Sequence, residues 1–343
     1  MPQPADEGLF MPAEWAAHSR CWMAWPCRES LWGDGLDAAR DAYAEVAKAI
    51  AAFEPVTMIA NPDSLAEVSL RCGSGVACLP LAHDDSWLRD SGPTFLTDGG
   101  ERLVGVDWRF NAWGEKYAPY DLDAALAEVL LAHLKVPRFA APLVLEGGAI
   151  HVDGEGTAMA TEQCLLNKNR NPDLSREQIE MYLRAYLGVE TVIWLKEGLA
   201  EDETDGHIDN IACFVAPGRV LALTTSDPDD VNFPILQDNI ARLRGARDAK
   251  GRDLEVIEIE QPRATFDDEG GRLALSYVNY YLANGGVVMP AFEDPNDDAA
   301  YEVVSGCFPD RNVVQVPALD ILRGGGGIHC IPQQQPAVGA AEA

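Results

Sequence analysis

The chain has 343 residues, 47% apolar and 24% charged, long enough for a large core and too apolar for a disordered segment. Its 55 acidic side chains outweigh 26 basic ones, a net charge of −29, which argues against general binding to nucleic acid or anionic membrane and suits a small cationic ligand. The N-terminus lacks the basic and apolar regions of a signal peptide, no run approaches the roughly 18 apolar residues of a membrane span, and the eight cysteines contain no C-x-x-C pair, so a soluble cytoplasmic protein with reduced thiols is expected.

In chain order, MPAEWAAHSRCWMAWPCRESLW is dense in tryptophan and predicts a strand with flanking loops, followed by a helix over 36–53. One phrase then recurs five times: a short apolar strand, an amphipathic helix often opened by an Asn-Pro or Asp-Pro turn, and a second apolar strand. The first copy runs from Val56 (VTMIANP) through a helix over 63–71 to VACLPLA from Val76. The second takes LVGVDWRF, a helix over 121–134 and PLVL, without the proline turn. The third takes MATEQCLLNKNRNP from Met159, a helix over 175–187 and TVIWL. The fourth takes VLALTTSDP from Val220, a helix over 232–243 and LEVIEI; the fifth takes VVMPAFEDP from Val287, a helix over 297–304 and VVQVPA from Val313. Each unit of roughly 50 to 65 residues has one helix for a small sheet, so closed radial packing is needed to bury the rest. The tail, 337–343, is expected to fray.

Acidic or reactive residues follow the second strand in four of the five copies: HDDSWLRDSGP, EGGAIHVDGEG, AEDETDGHIDN and LDILRGGGGIHC. Equivalent strand ends of pseudo-symmetric units meet near a common axis, so Asp90, Glu146, His207, Asp209 and Cys330 are expected to converge. The four glycines before Ile328 permit close approach of the main chain to a ligand; without a following Gly-Lys-Ser/Thr they do not make a phosphate loop. Cys330 is then either a reactive thiol or an inert buried one. His207 and Asp209, at i and i+2, share a side of the chain if the segment is extended. That suits a proton shuttle, a solvated acidic loop or two ligands of a metal site. Asp90 and Glu146 must be paired or hydrogen-bonded if they leave water. Arg89 would hold Asp90 in an internal ion pair; the planar guanidinium of a substrate, with Trp87 stacked on it, is the functional alternative. His151 and Asp153 read as strand support.

In order along the chain, MPAEW, CWMAWP, WLRDSGPTF, EGGAIHVDGEGT, CLLNKNRNP, ETDGHIDN and GGGGIHCIPQQQP resemble the agmatine deiminases, in the peptidylarginine deiminase-like branch of the guanidino-group-modifying (pentein) superfamily, over about residues 9–336. The resemblance implies an α/β fold, a five-bladed α/β propeller (pentein fold) of ββαβ-type units, forming a single catalytic domain over 1–343. It implies Cys330 as nucleophile, His207 as general acid/base, Asp90 and Asp209 as guanidinium carboxylates, and Trp87, Glu146, Glu203 and Gly327 about the substrate. Agmatine would be hydrolysed to N-carbamoylputrescine and ammonia through a thiouronium on Cys330, with no metal or organic cofactor, by a homodimer or larger homo-oligomer. The alternatives are deimination of another guanidine such as free or peptidyl arginine, a metal-dependent hydrolase, or an inactive binding protein. Ser91, Ala149 and Pro332 depart from the family pattern; none is a catalytic group, and Pro332 removes a backbone N–H two residues after Cys330.

Overall fold

In a computed structural model, residues 3–267 and 269–339 are described. They form five small sheets, the blades of an α/β propeller. Blade one contains β1 (His18–Ala24), β2 (Val56–Ala60) and β3 (Val76–Pro80). Blade two contains β4 (Thr94–Thr97), β5 (Leu103–Arg109) and β6 (Arg138–Val144); blade three β7 (His151–Val152), β8 (Thr157–Thr161) and β9 (Thr191–Leu195). Blade four contains β10 (Ala212–Ala216), β11 (Arg219–Thr224) and β12 (Glu255–Glu260); blade five β13 (Tyr281–Ala283), β14 (Gly286–Ala291) and β15 (Asn312–Pro317). The closing strand β16 (Pro332–Pro336) pairs antiparallel with β1, so the two ends of the chain complete blade one together.

In blades two to five the inner strand is antiparallel to the middle one, which runs parallel to the outer strand. One helix makes each crossover: Asp121–Leu134, Arg176–Leu187, Phe233–Gly245 and Asp297–Cys307. Blade one differs in having three parallel strands, joined by the helices Leu36–Ala51 and Leu65–Cys72. The middle strands VTMIA and TAMAT are buried at every position, as parallel strands covered on both faces must be. Local chemistry sets the helix ends: Ser175 and Gln178 form a capping box, and Gly188 stops the same helix with φ 68°.

All five repeated phrases form strand–helix–strand units as expected. The differences are at edges. Pro62–Ser64 is a 3-10 turn, so the first predicted helix begins at Leu65; the fifth runs on to Cys307, and the opening helix ends at Ala51. The expected fraying after Pro336 does not begin there, because the Ala337 N–H donates to Ala17 O (2.7 Å) and the Gly339 N–H to Gly100 O (2.9 Å). The rest of that predicted tail, 340–343, lies outside the described residues. Pro332 starts an edge strand, where a missing N–H is tolerated. All eight cysteines are unpaired, and among the described residues no helix is long and apolar enough to cross a membrane.

This topology positions the site. Each passage from the outer strand of one blade to the inner strand of the next carries polar side chains: Asp90 between β3 and β4, Glu146 between β6 and β7, His207 and Asp209 between β9 and β10, and Cys330 between β15 and β16. The remaining passage, β12 to β13, which the sequence left without a reactive group, delivers Asn279.

Candidate active site

The five passages converge on Gly148. A Cβ built there would stand 2.6 Å from His207 Nδ1, 2.8 Å from Asp209 Oδ2 and 3.0 Å from Asp90 Oδ1. Cys330 Sγ lies 3.6 Å from Asp209 Oδ2, and Glu146 Oε2 lies 3.8 Å from His207 Nε2. All five of these side chains are buried. Gly148 is therefore a space left open among three functional groups. Gly148→Ala is expected to lower the melting temperature by overpacking and, in the protein that remains folded, to lower kcat/KM about 100-fold, since displacements on the order of 1 Å carry that cost in a preorganised site; wild-type kinetics in this variant would show that the convergence has no bearing on turnover.

Asp90 sits in the short helix Leu88–Ser91. Its Oδ1 accepts the Gly148 N–H (2.9 Å), and its Oδ2 accepts the Trp113 indole N–H (2.9 Å). The internal Arg89–Asp90 ion pair is not formed. Arg89 turns the other way, with Nη1 3.6 Å from Glu14 and Nε donating to His329 O at 3.1 Å. Trp113, absent from the sequence-based site, reaches Asp90 from a left-handed run in which Ala112, Trp113, Gly114 and Glu115 have φ between 51° and 93°. Such a run is costly for non-glycine residues and persists where the surroundings enforce it. Asn111 supports it by accepting the Gly114 N–H.

The segment of His207 and Asp209 is not extended. Asp205 and Gly206, with φ 62° and 90°, turn the chain, and Ile208–Asn210 form one turn of 3-10 helix. The two side chains thus reach the site from a turn, and the Asp-Gly pair was the sequence signal for it. Thr204 Oγ1 accepts the His207 N–H (3.1 Å), which fixes the ring's base. Cys330 Sγ accepts the Gly327 N–H (3.3 Å) and lies 3.5 Å from Asn279 Nδ2. Asn279 also donates to Asn210 Oδ1 (3.0 Å) and accepts the His329 N–H (2.8 Å), tying the Cys330 loop to the Asp209 turn. Nothing in LSYVNYYLA marked Asn279 out, because a neutral amide inside an apolar run reads as strand.

Burial alone would lower the His207 pKa, yet Asp90, Cys164 and Glu146 raise it well above the ordinary histidine value. Burial, followed by the Asp209 and Asp90 charges, pushes the Cys330 thiol well above the usual cysteine range, against the milder pull of the Gly327 and Asn279 donors. Asp90 is raised by burial despite His207, whereas burial would raise Asp209 too, but His329, His207 and Arg89 together bring it below the carboxylate range. Glu146, equally buried, is lowered by His207 and Arg170. Both His207 ring nitrogens, Asp209 Oδ1 and Glu146 Oε2 are buried without a hydrogen-bond partner. An acidic, partly unpaired socket of this kind is matched to a cation with N–H donors.

Cys330 borders a narrow cavity of about 20 Å³ lined also by Trp87, Trp113, Tyr117 and Glu203; it is well below the volume of a preformed ligand pocket, so a ligand enters only as these side chains give way. Trp87 is backed by Trp32, stacked at 5.7 Å and 24°. Gly326 passes so close that a Cβ would come within 2.5 Å of the Trp87 ring. Glu146 and Gly327 lie beneath this lining: Glu146 pairs with Arg170 (2.6 Å), and Gly327 contacts the sulfur through its N–H. Among the described residues one cluster has metal-ligand character, a His207 ring nitrogen, Glu146 and Cys164, with ligand atoms within 4.8 Å of one another. The Arg170 guanidinium on Glu146 supplies a permanent cation on that flank, so the trio is better suited to holding a proton than a divalent ion.

The sequence matches the Porphyromonas-type peptidyl-arginine deiminase family over residues 10–336. It is 52% identical to a protein of Legionella pneumophila (strain Philadelphia 1), covering 97% of this chain and 96% of the relative. It is 48% identical to the agmatine deiminase of Stutzerimonas stutzeri, with 97% of each covered. The solved agmatine deiminase of Enterococcus faecalis superposes with a TM-score of 0.94, 37% identity and 98% coverage of both chains.

Proposed function

Because this chain belongs to the Porphyromonas-type peptidyl-arginine deiminase family, we propose that it hydrolyses the guanidinium group of agmatine to N-carbamoylputrescine and ammonia. The observation that carries this reading is the approach of two carboxylates and an imidazole to one point beside a buried thiol. Asp90 and Asp209 hold the guanidinium in plane, matching its N–H donors, and Trp87 forms an aromatic wall of the cavity.

A guanidinium carbon is weakly electrophilic, and covalent catalysis divides its hydrolysis into two easier steps. The arriving cation offsets the Asp90 and Asp209 charges that keep the Cys330 thiol protonated, so the thiol gives its proton to solvent and the thiolate forms as substrate binds. Sulfur attacks the central carbon. His207, protonated at rest, gives its Nδ1 proton to the departing nitrogen, and ammonia leaves a planar thiouronium on Cys330. The now neutral His207 takes a proton from water, whose hydroxide adds to the same carbon; the C–S bond breaks, thiolate leaves, and the adduct's hydroxyl proton passes to bulk water as the ureido carbonyl forms. Glu146, 3.8 Å behind Nε2, steadies the ring through the proton cycle.

Glu203 is exposed at the cavity mouth, where Tyr117 donates to its carboxylate (3.3 Å). With the guanidinium at Cys330, an acid there favours the ammonium of agmatine over the carboxylate of arginine at the other end of the substrate. The test is ammonia release from agmatine, arginine and a short arginine peptide by metal-free enzyme. Agmatine is expected to lead arginine by about 100-fold in kcat/KM, the equivalent of roughly 2.7 kcal/mol, and chelator is expected to leave the rate unchanged. Equal rates for agmatine and arginine would overturn the substrate assignment; activity restored only by a divalent metal would overturn the mechanism. The eight unpaired thiols are in keeping with a cytoplasmic location.

A further inference from the structure

The N-terminal MPAEW segment has no part in the chemistry so far, yet Glu14 is only 4% exposed and lies beneath the site. Its Oε1 is 2.8 Å from His329 Nε2, and the other nitrogen of that ring, Nδ1, is 2.9 Å from Asp209 Oδ2. A neutral imidazole has one N–H, whereas here both nitrogens face carboxylate oxygens at hydrogen-bond distance, an arrangement that suits the doubly protonated ring. The other groups about the ring are Arg89, whose Nη1 is 3.6 Å from Glu14; His151, whose Nε2 is 3.6 Å from the second Glu14 oxygen; and the adjoining Cys330. Arg89 also links the two halves of the site, since its N–H donates to Cys330 O (3.2 Å) and its Nε to His329 O (3.1 Å). One carboxylate from the N-terminal segment therefore anchors the ring beside the nucleophile and the arginine beside Asp90.

We propose that Glu14 and His329 are positioning residues for guanidine hydrolysis: the pair, as carboxylate and imidazolium, occupies Asp209 Oδ2, fixing that carboxylate 3.6 Å from Cys330 Sγ with Oδ1 free for the substrate. The proposal rests on the deiminase reading for its kinetic consequence and on the hydrogen-bond geometry alone for the charge of the ring. Without the anchor, Asp209 gains a second rotamer and a free lone pair, and its hold on the bound guanidinium weakens.

The test uses Glu14→Gln, His329→Gln and the double variant in the full chain, with kinetics expressed per folded site as counted by near-ultraviolet circular dichroism. Each single variant is expected to raise the KM for agmatine about tenfold or more, with a smaller fall in kcat, because a bound-state contact is loosened before the chemistry is. The double variant is expected to cost no more than His329→Gln alone, as residues acting in one chain do. Nitrogen-15 spectra of histidine-labelled protein are expected to show two ring protons on His329 at pH 7.5 in the wild type and one in Glu14→Gln. KM and kcat per folded site within about twofold of wild type in both single variants would mean that the network only supports folding, and the proposal fails. Costs that simply add in the double variant, or a neutral His329 in the wild type, would also overturn it. If wild-type protein released ammonia from no guanidine, the deiminase reading would fall instead, and the spectra would still decide the charge of the ring.

Discussion

Cys330→Ala is expected to abolish ammonia release from agmatine, with kcat down at least about 10⁴-fold, while the protein stays folded. Removal of a nucleophile forfeits the whole covalent route, and the remaining carboxylates and imidazole can only bind the cation. The Cys330 side chain is small, and its loop is held by bonds that do not involve the sulfur, Arg89 N–H to Cys330 O, Arg89 Nε to His329 O and His329 N–H to Asn279 Oδ1, so loss of the sulfur leaves the architecture standing. A second measurement on the wild type uses the same sulfur. Its pKa is raised well above the usual value by burial and by Asp209 and Asp90, so below that raised value the thiolate fraction grows with pH. Alkylation of Cys330 by iodoacetamide, followed at that residue by mass spectrometry, is expected to accelerate about tenfold per pH unit from pH 6 up to at least pH 9. A plateau already reached at pH 7 would mean a preformed thiolate and would remove the substrate's role in ionising it.

His207→Gln is expected to lower kcat about 10³-fold, within the range for loss of a general acid/base. Glutamine keeps much of the shape, but it can neither protonate departing ammonia nor take a proton from water. The sign of the pH dependence follows from the two raised values. For the free enzyme, kcat/KM rises as Cys330 loses its proton and falls as His207 loses its own, which places the optimum on the alkaline side of neutrality. In His207→Gln the descending alkaline limb is expected to vanish. Its persistence in the variant would assign that limb to another group and deprive His207 of its acid role.

The repeat was legible because each blade writes the same apolar strand, helix and apolar strand, and burial of parallel strands demands those runs. Cys330, His207, Asp90 and Asp209 stood out because reactive groups at equivalent strand ends break an otherwise apolar pattern, and the resemblance carried their roles. Trp113, Asn279 and Glu14 were hidden for a different reason. Each enters the site through a contact with a residue far away in sequence: Trp113 with Asp90, Asn279 with Asn210, Glu14 with His329. No local periodicity encodes such a meeting. Arg89 misled because adjacency in sequence is not adjacency of charge: its neighbour's carboxylate faces Gly148 and Trp113, while its own guanidinium faces Glu14. Asp205–Gly206 is a local turn signal that the alternation of His207 and Asp209 does not contain, and the structure follows the turn.

The antiparallel union of β16 with β1 has a consequence for the order in which the enzyme comes into being. Cys330 stands just ahead of β16, and its loop is held by Asn279 from the fifth blade and by Arg89 and Gln333–Pro93 contacts at the first. During synthesis the first four blades emerge while the sulfur is still to be made, and β1 waits without its antiparallel neighbour until almost the whole chain exists. The chemistry is therefore switched on by the same event that seals the circle. A chain interrupted anywhere before that point carries a set of carboxylates and an imidazole but no attacking group, and it is inert toward guanidines however well its finished blades have folded.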